Sequence, residues 1–119
     1  MGGCINDETL AKLQVRAVCG AANNVLAEPR HGEMLHRQGI LYAPDYVANA
    51  GGLIQVADEL QGYNKERAFR NTSLIYDTLL RIYAISRKEN IPPSQAADLL
   101  AERKIEKIGQ IKRKYMGKP

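Results

Sequence analysis

The hydrophobic and polar positions of the chain fall into a rhythm that changes halfway along. In NDETLAKL, Leu10 and Leu13 supply a small apolar face behind a polar start. Asn6 or Asp7 can cap such a helix, and Glu8 suits its positive end. VRAVCGAANN follows, a compact apolar run that ends in small residues and two amides, as a buried strand does at a functional edge. After Pro29, RHGEMLHRQ reads as a helix closed by Gly39 in the position that favours a left-handed cap. ILYA then reads as a second short strand.

Helix, strand, helix and strand in the first fifty residues argue for parallel pairing within an α/β sheet. The remainder is helical. LIQVADEL, residues 53–60, predicts one helix, and Asn64 can cap a longer one in which Ala68, Ile75, Leu79, Ile82 and Ser86 fall three or four apart. Lys65, Arg70 and Asp77 are left for solvent. The IPP stretch from Ile91 stops that helix, and a last one starts near Pro93 with Ala97, Leu100, Ile105, Ile108 and Ile111 along its inner side. The division expected is an α/β unit over residues 1–52 and a helical segment over 53–119 packed on it, together one incomplete domain. Two short parallel strands leave edges unpaired and a face bare, so further strands are expected from another part of a longer protein or from a partner.

With 119 residues, 45% hydrophobic and 25% charged, the chain has the composition of a single globular domain. No apolar run is long enough for a membrane span, and MGGCINDETL has neither the basic start nor the apolar block of a signal peptide. The expectation is a cytoplasmic protein with no membrane partner. Cys4 and Cys19 lack CxxC spacing and a nearby His, and read as buried or incidental thiols. His31 and His36, five apart, fit no zinc pattern, so no metal is expected. The net charge of +4 is concentrated: residues 101–119 hold seven Lys or Arg against two Glu. Apart from Tyr115 there is no aromatic interleaving and no recognition motif, so the tail reads as a solvated helix end suited to its macrodipole, not as a nucleic-acid site.

Ligands of an open parallel sheet lie beyond the carboxyl ends of its strands. Here those ends are GAANN, residues 20–24, and APDYVANAGG, residues 43–52. Gly20, Ala21 and Ala22 permit close approach, and Asn23 and Asn24 offer donors and acceptors together, a set suited to a carboxamide or a sugar hydroxyl. Pro44 fixes the exit of the second strand and Asp45 can cap the turn. Gly51 and Gly52 weaken the following helix by about 1 kcal/mol each relative to alanine. Close packing of helix on sheet is one reason for them; a ligand against the backbone is the other.

CINDETL, EPRHG, YAPDYVANAGG and ADELQGYN together resemble the carboxy-terminal part of the glutamate, leucine, phenylalanine and valine dehydrogenases, the leucine branch most of all, over essentially the whole chain. The resemblance implies the distal half of a Rossmann-type NAD-binding domain followed by long C-terminal helices. It implies NAD-dependent oxidative deamination of a branched-chain L-amino acid to its 2-oxo acid and ammonia, in a homo-oligomer. Carried over by motif, Ala22, Asn23, Asn24 and Asn49 face the cofactor. Asn24, Asn49, Gly51, Leu53 and Val56 face the substrate, with Leu53 and Val56 one turn apart against its side chain. Relatives commonly carry a smaller branched residue at Leu53, which points to shorter substrates such as valine.

The sequence has no GxGxxG turn and no acidic residue about 20 positions beyond one. The family's catalytic lysines and aspartate belong to an amino-terminal domain outside this sequence, so no catalytic residue is assigned; Asp45, Asp58 and Lys65 do not sit in the corresponding motifs. Met1 falls where relatives continue from a preceding strand, which suggests a fragment, a truncated frame or half of a split protein. The alternative function is a non-catalytic module that pairs with the missing amino-terminal chain.

Overall fold

The computed structural model describes residues 2–116, with side chains through Ile111. The Met1 start and the end of the basic tail, residues 117–119, lie outside the described residues, as does the Tyr115 side chain. Asn6 begins α1 (Asp7–Lys12): its carbonyl oxygen Oδ1 accepts from the Thr9 N–H, and the Thr9 hydroxyl accepts from the Asn6 N–H in return. This reciprocal box satisfies two donors that a helix start otherwise leaves open. α2 (Pro29–Arg37) begins on Pro29 and is followed by Gly39 at φ 71°, a left-handed position that an L side chain occupies only at a cost.

The strands are β1 (Ala17–Val18) and β2 (Leu41–Tyr42), parallel, with Ala17 opposite Leu41 and Val18 opposite Tyr42. Successive residues of a strand point to opposite faces, and the two faces differ. Val18 and Tyr42 pack into a core with Ile5, Leu10, Val25, Leu35 and Ile40, whereas Ala17 and Leu41 are exposed. Parallel sheets are normally covered on both faces, whereas among the described residues this pair is packed into a core on its Val18–Tyr42 face only. An isolated parallel bridge, Ile5 with Leu26, adds a third line of pairing that the sequence pattern does not announce.

Beyond β2 come α3 (Asp45–Ala48), α4 (Gly51–Glu59), α5 (Lys65–Glu89) and α6 (Pro93–Met116). α4 starts two residues before the predicted 53, because both glycines are drawn into its first turn. Asn64 caps α5 by accepting from the Arg67 N–H, and Asn90 ends it at φ 52°. A second core joins α5 and α6 through Ile82, Ala96 and Ala97, with Val47, Ile85 and Leu100 against it. Ser86 is buried there and donates to the Ile91 carbonyl at 2.6 Å, so its hydroxyl is satisfied.

The inner side predicted for α6 holds only as far as Leu100. Ile105 is 69% exposed and Ile108 49%, and Ile111 is also bare. A 3.6-residue period shows which side of a helix is apolar, not whether this chain supplies anything to cover it. Cys4 and Cys19 are free, and both are exposed, not buried. Among the described residues no helix is long and apolar enough to cross a membrane, and no three His, Cys, Asp or Glu gather as a metal cluster.

Candidate functional site

The site grows from the way β2 ends. Pro44, at φ −52°, turns the chain into α3, whose single turn closes with the Asn49 N–H on the Asp45 carbonyl at 2.8 Å. Asn49 is thereby fixed at the mouth of the turn, and its Nδ2 donates to Oδ1 of Asn23, at the end of the β1 loop. The two strand ends therefore meet through a pair of side-chain amides. Asn24 holds φ at 54°, and its carbonyl accepts from the Gly3 N–H at 2.7 Å; asparagine tolerates the left-handed region better than most residues.

The other expected site residues are placed as follows. Ala22 is half-buried against the first core. Asn24 lies on the wall of a separate groove of about 480 Å³, shared with Tyr42, Asp45, Tyr46 and Asp98, apart from the Asn23–Asn49 pair. Leu53 is 74% exposed and Val56 56% exposed, one turn apart on α4 and off both cores. A Cβ on Gly51 would meet Thr72 Cγ2 at an ordinary 3.5 Å, and one on Gly52 would meet nothing within 4 Å. Packing among the described residues therefore requires neither glycine, and they leave the backbone of α4's first turn open to close approach.

Asp45 does more than cap a turn. It is buried, and its carboxylate accepts from the Tyr46 N–H at 2.6 Å and from the Val25 N–H at 2.7 Å, twenty residues away. Tyr42 lies beside it: the burial of that phenol first, and the Asp45 charge second, push it up to about 12. Tyr46 donates to Asp98 Oδ1 at 2.9 Å, anchoring α3 to α6, and burial together with this bond raises its pKa.

EPRHG has a scaffolding role. His31 is buried, with Nδ1 accepting from the Glu28 N–H at 3.0 Å, which leaves the proton on Nε2 facing Asp7 Oδ1 at 3.3 Å. Arg30 grips Asp7 with both terminal nitrogens and Glu28 with Nε, and these bonds hold both carboxyls below their ordinary range. At Gly32 a Cβ would lie 3.0 Å from Ser94 Oγ, so α2 and α6 approach closely there. In ADELQGYN, Asp58 likewise takes the Asn64 N–H and the Arg67 Nε–H, organising the start of α5.

A parallel α/β unit with neutral amides at its carboxyl edge, followed by helices, is part of a Rossmann-type domain. Residues 2–105 match the model of the Glutamate/Leucine/Phenylalanine/Valine dehydrogenase family, and the chain belongs to that family. It is 48% identical over 116 residues to leucine dehydrogenase of Geobacillus stearothermophilus, covering 98% of this chain and 32% of that protein. It is 52% identical over 111 residues to phenylalanine dehydrogenase of Caldalkalibacillus thermarum, covering 93% of this chain and 30% of that one. Among solved structures, L-tryptophan dehydrogenase from Nostoc punctiforme matches with a TM-score of 0.89 at 45% identity, over 92% of this chain and 33% of the other. Glutamate dehydrogenase from Peptoniphilus asaccharolyticus, at 21% identity and a TM-score of 0.73, shares the fold. The chain thus spans about a third of the relatives it matches.

Proposed function

We propose that this chain supplies one wall of the active site of an NAD-dependent amino acid dehydrogenase acting on branched-chain L-amino acids. The observation that carries the proposal is the Asn23–Asn49 contact, which joins the carboxyl ends of both strands into one amide-lined edge. Neutral amides present donors and acceptors together, and they fit a nicotinamide carboxamide and the adjoining ribose hydroxyls. The fit is to that half of the cofactor alone, since the sequence has no glycine-rich turn for the pyrophosphate.

When bound, NAD supplies the acceptor for the hydride leaving the amino acid Cα. Asn23 and Asn49 orient the carboxamide and the substrate, a geometric contribution that matters because misplacement of reacting atoms is costly. Asn24 serves the ribose or the substrate. Gly51 and Gly52 leave room for the substrate to lie against the backbone of α4, and Leu53 and Val56 offer its side chain an apolar surface. The proton-transfer groups and the first half of the sheet come from an amino-terminal part of the protein, the natural cover for the bare Leu41 side of the sheet. Residues 1–52 are the partial NAD-binding unit in this reading, and residues 53–119 the helical segment that buttresses it. The assembled enzyme is a cytoplasmic homo-oligomer.

A second reading, a non-catalytic module that occupies the same interface on an amino-terminal partner, is favoured by the same exposed strand face. Reconstitution separates the two. The chain mixed with the amino-terminal portion of leucine dehydrogenase should form NADH from leucine or valine if the first reading holds; a complex without turnover supports the second.

A further inference from the structure

We infer that Asp45 is the positioning residue that sets the spacing of the two amide-bearing loops. Its role in catalysis rests on the function proposed above, while its effect on the loops does not. Asp45 contacts both loops at once. Through its main-chain carbonyl it holds the Asn49 N–H, and through its carboxylate it holds the Val25 N–H, two residues after Asn23. The bond to Val25 is buried, with Val25 itself 3% exposed.

The loop that leaves β1 is then pinned from two sides. On one side the Gly3 N–H donates to the Asn24 carbonyl and the Ile5 N–H to the Val25 carbonyl; on the other, Asp45 takes the Val25 N–H. Asn23 is the last residue before this clamp. Its side chain can meet Asn49 only if the clamp and the α3 turn keep their mutual spacing, and Asp45 is the residue common to both. Acceptance by an ionised carboxylate makes a backbone hydrogen bond stronger than a neutral acceptor would, and the second carboxylate oxygen, on the Tyr46 N–H, fixes the rotamer. Tyr46 in turn ties the turn to Asp98 of α6, so the reference frame for Asp45 is the helical core.

The test of the spacing role needs neither cofactor nor partner. In nuclear magnetic resonance spectra of the full chain, the Asn49 side-chain amide reports its bond to Asn23, and hydrogen exchange at the Val25 N–H reports the clamp. In Asp45→Asn, which keeps the shape but opposes an amide to the Val25 N–H, Val25 should exchange at least about tenfold faster, a 1.4 kcal/mol change in opening. The Asn49 side-chain resonance should move to the position of a free amide. Asp45→Ala should do the same, and Ser86→Ala, which loosens the distant α5 end, should lower the melting temperature without moving that resonance. An unmoved Asn49 resonance in a folded Asp45 variant would overturn the inference. So would failure of both Asp45 variants to fold, since Asp45 would then be a plain stability element. A moved resonance with unchanged turnover in the reconstituted enzyme would uphold the spacing role and count against the function proposed above.

Discussion

Asn49 and Asn23 lie 26 positions apart in sequence, yet Nδ2 of one donates to Oδ1 of the other across the ends of two parallel strands. The Asn49 backbone is set by its bond to the Asp45 carbonyl, and Asn23 leads into a loop held at Asn24 and Val25, so the pair is presented, not improvised. Most of the amide hydrogen-bonding capacity remains free, because each side chain offers more donors and acceptors than one contact uses.

Leu53 carries the specificity prediction. It is the most exposed apolar residue in the first turn of α4, and its change to valine removes one methylene. In a complete homologue assayed with and without Leu53→Val, the ratio of kcat/KM for leucine to that for valine should rise by about 1–3 kcal/mol, roughly 5- to 150-fold. An unchanged ratio removes Leu53 from the pocket.

Asn24 separates backbone from side chain. At φ 54°, Asn24→Ala should cost about 1 kcal/mol or somewhat more through left-handed strain, while Asn24→Gly should leave stability nearly level. If the side chain contacts ligand, both variants should raise KM in the reconstituted enzyme to a similar extent. Denaturation midpoints and steady-state kinetics together decide this.

Burial sets a sharp contrast between two isoleucines. Ile82, 1% exposed in the second core, should lose about 2–5 kcal/mol on change to alanine. Ile108, about half exposed on α6, should change by no more than about 0.5 kcal/mol. Urea unfolding of this chain measures both, and equal losses would show that α6 packs along its whole length.

Acid stability follows from Asp58. The Arg67 hydrogen bond, and after it the Asn64 N–H, hold its carboxyl below the ordinary value of 3.8. The unfolded chain therefore takes up this proton at a higher pH than the folded one, so its contribution is whole above about pH 4 and is lost as pH falls through the depressed folded value. Asp7 and Glu28, lowered by Arg30, act in the same window. Asp58→Asn should flatten the fall in urea midpoint below about pH 4, and added salt should weaken the exposed Arg30 cluster more than the Asp58–Arg67 pair.

Local chemistry made much of the fold legible. Asn64 as a cap, Gly39 after α2 and the Ala68–Ile82–Ser86 stripe are short-range signals, and each is seen in the structure. Long-range pairing was not legible. Nothing near Asp45 indicates that it takes the Val25 N–H, and nothing near Ile5 indicates its bridge to Leu26. The isoleucines of α6 misled because an apolar face implies a cover, and none lies over Ile105, Ile108 or Ile111 among the described residues. At the site, the two strand ends could be read from their small residues and amides; that Asn23, and not Asn24, meets Asn49 depends on one left-handed residue whose conformation no local pattern fixes.

The central claim is that this chain contributes binding and orientation while the reacting groups lie elsewhere in the protein. It is tested most directly by the steady-state rate of NADH formation from leucine or valine by the chain reconstituted with the amino-terminal portion of leucine dehydrogenase, using wild type and Asn49→Ala. The account predicts no turnover from either part alone, turnover from the wild-type complex, and a loss on the order of a hundredfold with Asn49→Ala in a complex that still forms. A formed complex that stays silent, or turnover indifferent to Asn49, would contradict it.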